Sequence, residues 1–351
     1  MPRLFTLLAA AALALGLVAA APGAAPSDPL YGPYQWGLKQ IHAEQAWTTS
    51  TGAGQVIAVV DSGVDLDHPD LAAKIVGGAT FTGCAATGPC GNGDWQSGGA
   101  SGQPPSPHGT HVAGIAAAVT GNGIDIAGVA PDASILAVKV LTDEGGTFEE
   151  IAAGIRWATD NGADVINMSL GALPGVQALA ITGVIADTRE AVAYAVSRGV
   201  VVIAAAGNDF ASICGEPAFD PNVLCVVATD RNELRASYSN FAVSQSPTNV
   251  VAAPGGQGLL FCEEDIVSTV PAGAESTCSN SAGTDFYAGT SMATPHVAGV
   301  AALLTAQGRS AAEVVSVLKS TARKPGTGLR GVYDPVYGYG IVDAAAAVAA
   351  P

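Results

Sequence analysis

Five short apolar runs, rich in β-branched residues, constrain the fold of this chain more than any other feature. They are residues 55–61, 133–141, 163–170, 200–208 and 223–228. Each is nearly continuous rather than alternating, and each ends in small or polar residues. A strand buried on both faces reads this way, as strands of a parallel sheet do when helices cover both sides. Helical patterns fall between the runs. Thr147-Phe148-Glu149-Glu150 and Ser310-Ala311-Ala312-Glu313 have the spacing of capping boxes, which satisfy the unpaired N–H groups of a helix start. Residues 108–119, 188–197 and 291–306 also carry helical spacing. The alternation predicts an α/β fold with a mostly parallel central sheet and helices on both faces. Residues 81–107 and 271–285 read as loops, no internal repeat is visible, and 351 residues suit one large domain.

Charge narrows the partners. The net charge of −16 comes mainly from the scarcity of Lys and Arg, 14 in all. Phosphate binding needs a basic face, so nucleic acid is not an expected partner. Arg3, the apolar residues 4–17 and the small residues Val18-Ala19-Ala20 read as an export signal cut near Ala20. Residues 1–20 are thus expected to leave, residues 21–26 form at most a short pro-segment, and residues 27–351 form the domain. The signal run is too short to anchor well, so the mature chain is expected outside the cell and off the membrane. Six cysteines in an exported chain are expected to be oxidised. Fifteen connectivities are possible. Their order in the chain suggests local pairs: Cys84 with Cys90, Cys214 with Cys225, and Cys262 with Cys278.

Chemistry-bearing residues stand where these elements end, and ligand sites in open α/β sheets lie beyond the carboxyl ends of the strands. Asp61 closes the first run. His108 opens the helical segment His108-Gly109-Thr110-His111. Ser291 opens another, in Gly289-Thr290-Ser291-Met292-Ala293-Thr294-Pro295-His296. A serine hydroxyl becomes a nucleophile when a base takes its proton, a histidine does this near neutral pH, and a buried carboxylate holds the histidine in the right tautomer. Asn208, ending the run Val201-Val202-Ile203-Ala204-Ala205-Ala206-Gly207, could donate to an oxyanion together with the Ser291 N–H. Taken singly, Ser291 also reads as a helix N-cap, Asp61 as a turn residue, Asn208 as a loop cap, and His108 with His111 as half of a zinc pair. His111 and His296 read as packing histidines. Pro295 reads as a first-turn proline.

Together, Val60-Asp61-Ser62-Gly63-Val64, the His108 segment, Asn167-Met168-Ser169-Leu170-Gly171, the Asn208 segment and the Ser291 segment resemble the subtilisin-like (subtilase) serine proteases, with a pattern similar to their thermitase branch. The resemblance spans roughly residues 28–344. It implies the three-layer fold of that family, a triad of Asp61, His108 and Ser291, and Asn208 in the oxyanion hole. Ser169, Leu170 and Gly171 would form an edge that pairs with an extended protein or peptide substrate. Ala206 and Gly207 would form the opposite wall of the first specificity pocket, with Gly215 at its floor and a Cys214–Cys225 bridge bracing it. The resemblance also implies a structural Ca²⁺ bound by Asp28, Asp70 and Asn122 with the carbonyls of Val119, Ile124 and Ile126. Asp125 departs from the small residue usual in that loop. The folding pro-domain common among exported relatives has no counterpart in residues 21–27, so calcium and disulfides are expected to take over part of its task. Asn167-Met168-Ser169 matches a glycosylation sequon, but its place in a strand argues against use. The loop at 172–187 is longer than usual and reads as surface cover. A monomeric secreted endopeptidase is the implied function, and a catalytically inactive relative serving as a binding module is the alternative.

Overall fold

The computed structural model describes residues 25–97, 105–172, 176, 185–244, 249–259, 261–274, 278 and 283–351. The proposed signal (1–20) and most of the 172–187 loop lie outside the described residues. Three short helices open the described chain: α1 (Tyr31–Tyr34), α2 (Trp36–Gln40) and α3 (Ala43–Ala46). Alternation then begins, with β1 (Val56–Asp61), β2 (Ile75–Thr80), α4 (His108–Ala117), β3 (Ser134–Lys139), α5 (Phe148–Asp160), β4 (Val165–Met168), α6 (Ala186–Ser197), β5 (Val201–Ala205), β6 (Leu224–Thr229) and β7 (Asn249–Pro254). A hairpin of β8 (Ile266–Thr269) and β9 (Thr284–Tyr287) precedes α7 (Thr290–Thr305), α8 (Ala311–Thr321) and α9 (Ala344–Ala349).

Seven strands form one sheet in the order β2-β3-β1-β4-β5-β6-β7, all parallel. All five predicted runs are strands, and their residues are buried almost throughout, as coverage on both faces requires. Helices α5 and α6 pack together, as do α4 and α7, with α7 lying against β4 to β7. The result is the three-layer α/β fold. Both capping boxes form: Thr147 accepts from the Glu150 N–H and Ser310 from the Glu313 N–H. Chain order reverses at β1, which has β3 on one side and β4 on the other. This switch point is where such a sheet opens a crevice for ligands.

Two strands of the main sheet escape the apolar-run reading. β2 reads Ile75-Val76-Gly77-Gly78-Ala79-Thr80, and its glycines have a packing reason: a Cβ on Gly78 would stand 2.1 Å from the Asn92 carbonyl oxygen. β7, ending in Pro254, lies at the opposite edge, where a proline is tolerated. Helix α7 also corrects one expectation. It begins at Thr290, one residue before Ser291, after an N-cap Gly289 that offers no side chain. Pro295 is therefore the sixth helical residue rather than a first-turn one, and it withholds the N–H that the Ser291 carbonyl would receive.

Candidate active site

Asp61 is the last residue of β1 and is fully buried. Its Oδ1 accepts from the Ser62 N–H and lies 2.7 Å from His108 Nδ1. Its Oδ2 is buried and finds no hydrogen-bond partner among the described residues. His108 is the first residue of α4, with its side chain about 30% exposed, which leaves the other ring nitrogen open to a ligand. The close approach of α4 to β1 depends on Gly109, where a Cβ would meet the Gly63 carbonyl oxygen at 2.3 Å. Ser62 adds a second link, its hydroxyl accepting from the Gly109 N–H. Burial lowers the His108 pKa, but the charge and hydrogen bond of Asp61 outweigh it and leave the imidazole above its ordinary value.

Ser291 is tied to the end of β4 by two bonds. Its hydroxyl donates to the Ser169 carbonyl at 3.2 Å, and the Ser169 hydroxyl donates to the Ser291 carbonyl at 2.7 Å. The second bond replaces the one that Pro295 cannot make, so Ser169 holds the serine as well as lying on the expected substrate edge. Asn167, buried, donates to the same Ser169 hydroxyl at 3.0 Å. That occupied amide is a poor glycosylation acceptor.

Asn208 lies three residues beyond β5. Its Oδ1 accepts from both the N–H and the hydroxyl of Thr290, at 2.9 and 3.0 Å. The amide NH₂ is thereby turned the other way. Around Gly289, Asn208 Nδ2 and the Ser291 N–H face the same small space, 3.5 and 3.6 Å from where a Cβ would stand. Thr290 also accepts from the Gly207 N–H at 3.2 Å. Thr290 does not stand out in the sequence, although a hydroxyl adjoining Ser291 is there to be weighed.

A cleft of about 200 Å³ beside Ser291 is lined by Leu170, Gly171, Gly207 and Asn208 among others. Ala206 and Gly215 stand behind it. Gly215 donates to the Ala206 carbonyl at 2.8 Å, and a Cβ on it would come within 2.9 Å of the Ala172 carbonyl oxygen. That glycine lets the Ala172 and Ala206 segments approach each other closely. A larger cavity, about 390 Å³, continues along Ser169 to Ala172 past His108.

Two further histidines and the six cysteines lie elsewhere in the fold. His111 stacks on Tyr287, and burial pushes its pKa down to about 3; His296 is likewise buried and pushed down to about 4. Both are neutral packing groups. The cysteines stand bonded as Cys84–Cys90, Cys214–Cys225 and Cys262–Cys278.

Asp28 and Asp70, both buried, are brought to the loop at 119–126. Asp28 accepts from the Gly121 and Gly123 N–H groups, and Asp70 from Asn122 Nδ2 and the Ile126 N–H. Burial, with Asp125 and Asp28 nearby, pushes the Asp70 carboxyl up to about 7 despite those bonds. Among the described residues, the carbonyls of Val119, Ile124 and Ile126 accept no hydrogen bond. Free carbonyls beside two buried carboxylates that form no ion pair among the described residues fit the oxygen-rich shell that Ca²⁺ takes. Among the described residues no group of three or more His, Cys, Asp and Glu side chains is placed to hold a metal, so binding here would depend on backbone oxygens. Asn122 turns its Oδ1 to the Ile124 N–H and its Nδ2 to Asp70, so an amide flip would be needed for the oxygen to meet a cation held beside Asp70. Asp125 takes a left-handed backbone, φ 35°, and its carbonyl accepts from the Leu30 N–H, tying the N-terminal arm to the loop.

Comparison with known proteins identifies the family. Residues 52–340 match the subtilase family. Thermitase from Thermoactinomyces vulgaris is 43% identical over 305 residues, covering 86% of this chain and 94% of that one. Subtilisin BL from Lederbergia lenta is 38% identical over 316 residues, covering 89% and 97%. A solved protease structure from Pseudoalteromonas arctica superposes with a TM-score of 0.75 at 36% identity, covering 93% of this chain and 99% of that one. The chain belongs to the subtilase family and is a serine-type endopeptidase.

Proposed function

We propose that this endopeptidase is exported and cuts protein chains with Asp61, His108 and Ser291 as its triad. The observation that carries the reading is the 2.7 Å contact between buried Asp61 and the half-open His108. Asp61 holds the Nδ1–H tautomer and so leaves Nε2 as the base. The Ser291 hydroxyl turns from the Ser169 carbonyl toward Nε2, gives up its proton there, and Oγ attacks the peptide carbonyl carbon. Negative charge develops on the substrate oxygen, which receives Asn208 Nδ2 and the Ser291 N–H. His108 then passes its proton to the leaving amine, and an acyl-enzyme remains. Water, deprotonated by His108, releases the acyl group and restores the serine. Ser169 to Gly171 and Gly207 would flank the substrate on either side of Ser291.

Purified protein is expected to hydrolyse casein, and preincubation with a serine-directed fluorophosphonate is expected to abolish this. Persistent hydrolysis after full modification would contradict the reading. Thr290→Val, which frees the Asn208 amide, is expected to lower kcat on a peptide substrate about tenfold with little change in KM. That is less than the roughly 10²–10³ that follows loss of such a donor outright. An unchanged kcat would remove Thr290 from the account.

Residues 1–20 would direct export and residues 27–351 would form a monomeric peptidase. Among the described residues no helix is long and apolar enough to cross a membrane. Asp28, Asp70, Asn122 and the carbonyls of Val119, Ile124 and Ile126 would hold Ca²⁺, which would neutralise two buried carboxylates and tie the arm to the body. Adding Ca²⁺ at about a hundred times its Kd contributes ~2.7 kcal/mol. Chelation is therefore expected to lower Tm by roughly 4 °C in calorimetry. A Tm indifferent to both chelator and added Ca²⁺ would exclude the site.

A further inference from the structure

The 390 Å³ cavity beside His108 has walls and charges that the catalytic steps do not use. Leu141, Phe148, Ile151 and Leu170 supply apolar surface, and Asp143 and Glu216 line it as acids. None of the described residues lining it is Lys or Arg. Glu216 is only 2% exposed, a rare placement for a carboxylate. Arg189, on α6, reaches it from outside the lining and binds Oε1 at 2.5 Å. No hydrogen bond from the described residues reaches Oε2. The backbone of Glu216 is fixed as well, since its carbonyl accepts from the Ala172 N–H at 2.8 Å. The carboxylate is thus held at the pocket by both its side chain and the edge segment that would carry substrate.

We infer that this pocket selects a Lys or Arg side chain of the substrate, with Glu216 and Asp143 as the specificity-determining residues. Long basic side chains lay an aliphatic stem along apolar surface and keep a charged head among polar groups. Here the stem lies against Leu141, Phe148, Ile151 and Leu170, and the head meets Glu216 Oε2 and Asp143. Arg189 offsets part of the charge of Glu216 and is not among the described residues that line the pocket. Leu170, Gly171 and Ala172 line both this cavity and the cleft beside Ser291, so one extended peptide can fill both. The basic residue therefore stands at a substrate position distinct from the one filling that cleft. An acidic side chain at the same position meets two carboxylates and is rejected.

The inference rests on the peptidase reading, and its test separates the two. Peptides carry Lys, norleucine or Glu in turn at each position on both sides of one scissile bond. Norleucine keeps the stem and lacks the charge. At one position, kcat/KM is expected to be about tenfold higher for Lys than for norleucine, and lowest for Glu. Glu216→Gln, which keeps an acceptor for Arg189, is expected to bring the Lys-to-norleucine ratio to within about twofold, and Asp143→Asn to reduce it by a smaller factor. Should Glu216→Gln not fold, wild type still decides: its ratio must fall as NaCl is raised from about 0.05 to about 1 M, as charge recognition does. Cleavage with no Lys preference at any position, or a ratio unmoved by salt and by both variants, overturns the inference and leaves the peptidase reading intact. No cleavage of any peptide overturns both.

Discussion

Ser291→Ala is expected to lower kcat by on the order of 10⁶-fold on any peptide substrate, leaving KM nearly unchanged. That magnitude is the one known for a subtilisin, a member of the same family. The physical reason is that the variant lacks the hydroxyl that forms the covalent intermediate, and the neighbouring Thr290 hydroxyl is engaged by Asn208 Oδ1. Asn208 and the Ser291 N–H remain in the variant, and oxyanion stabilisation with substrate positioning is expected to leave a residual rate about 10³–10⁴ above that in water. The fold should persist, because the two links that seat Ser291 do not depend on its side chain alone. The Ser169 hydroxyl still donates to the residue 291 carbonyl that Pro295 cannot serve. Circular dichroism and Tm close to wild type, with hydrolysis reduced about a million-fold, is the expected pair of results. A loss of only tenfold would mean that another nucleophile is at work.

Asp61→Asn carries the second-largest effect, a fall in kcat of about 10⁴-fold. Asparagine is the same size and can still accept from the Ser62 N–H, so α4 and β1 keep their contact. The charge is lost, and with it both the preference for the Nδ1–H tautomer and the stabilisation of the imidazolium formed during attack. The pH profile gives an independent reading. Catalysis needs neutral His108, so kcat/KM falls as pH drops through the pKa of that imidazole. In the wild type Asp61 holds this pKa above its ordinary value. Removing the negative charge lowers it, so the acid limb of the variant should move to lower pH while the maximum falls. A limb that stays in place or moves upward would contradict the role given to Asp61.

Much of this site is legible in the sequence because apolar runs must stop somewhere, and where they stop is conspicuous. Asp61 and Asn208 each follow a string of Val, Ile and Ala that has no reason to be interrupted by a polar group. His108 and Ser291 begin segments of small and apolar residues whose helical spacing is clear. What escapes detection has in each case a physical cause. β2 is built on glycines that admit neighbouring backbone, so it lacks the β-branched signature of a strand. Helices α1 to α3 are four or five residues long, too short to display a period. Thr290 works through the far side of the Asn208 amide, a contact across 82 residues of sequence. Pro295 lies past the first turn of α7, so its missing N–H leaves the Ser291 carbonyl unserved and gives Ser169 its second task. Gly215 also lets two backbone segments close on each other, a contact that its place in the sequence does not announce. Glu216 carries no sequence signal, since a lone glutamate before a proline reads as surface.

The central claim is that Ser291 is the nucleophile and that His108, held by Asp61, makes it one. Mapping a fluorophosphonate adduct by tandem mass spectrometry tests this most directly. The account predicts a single adduct on the peptide carrying Ser291 in the folded wild type. It predicts labelling slowed by several orders of magnitude in folded His108→Ala, and no adduct in Ser291→Ala. An adduct on any other serine, or equal labelling with and without His108, would contradict it.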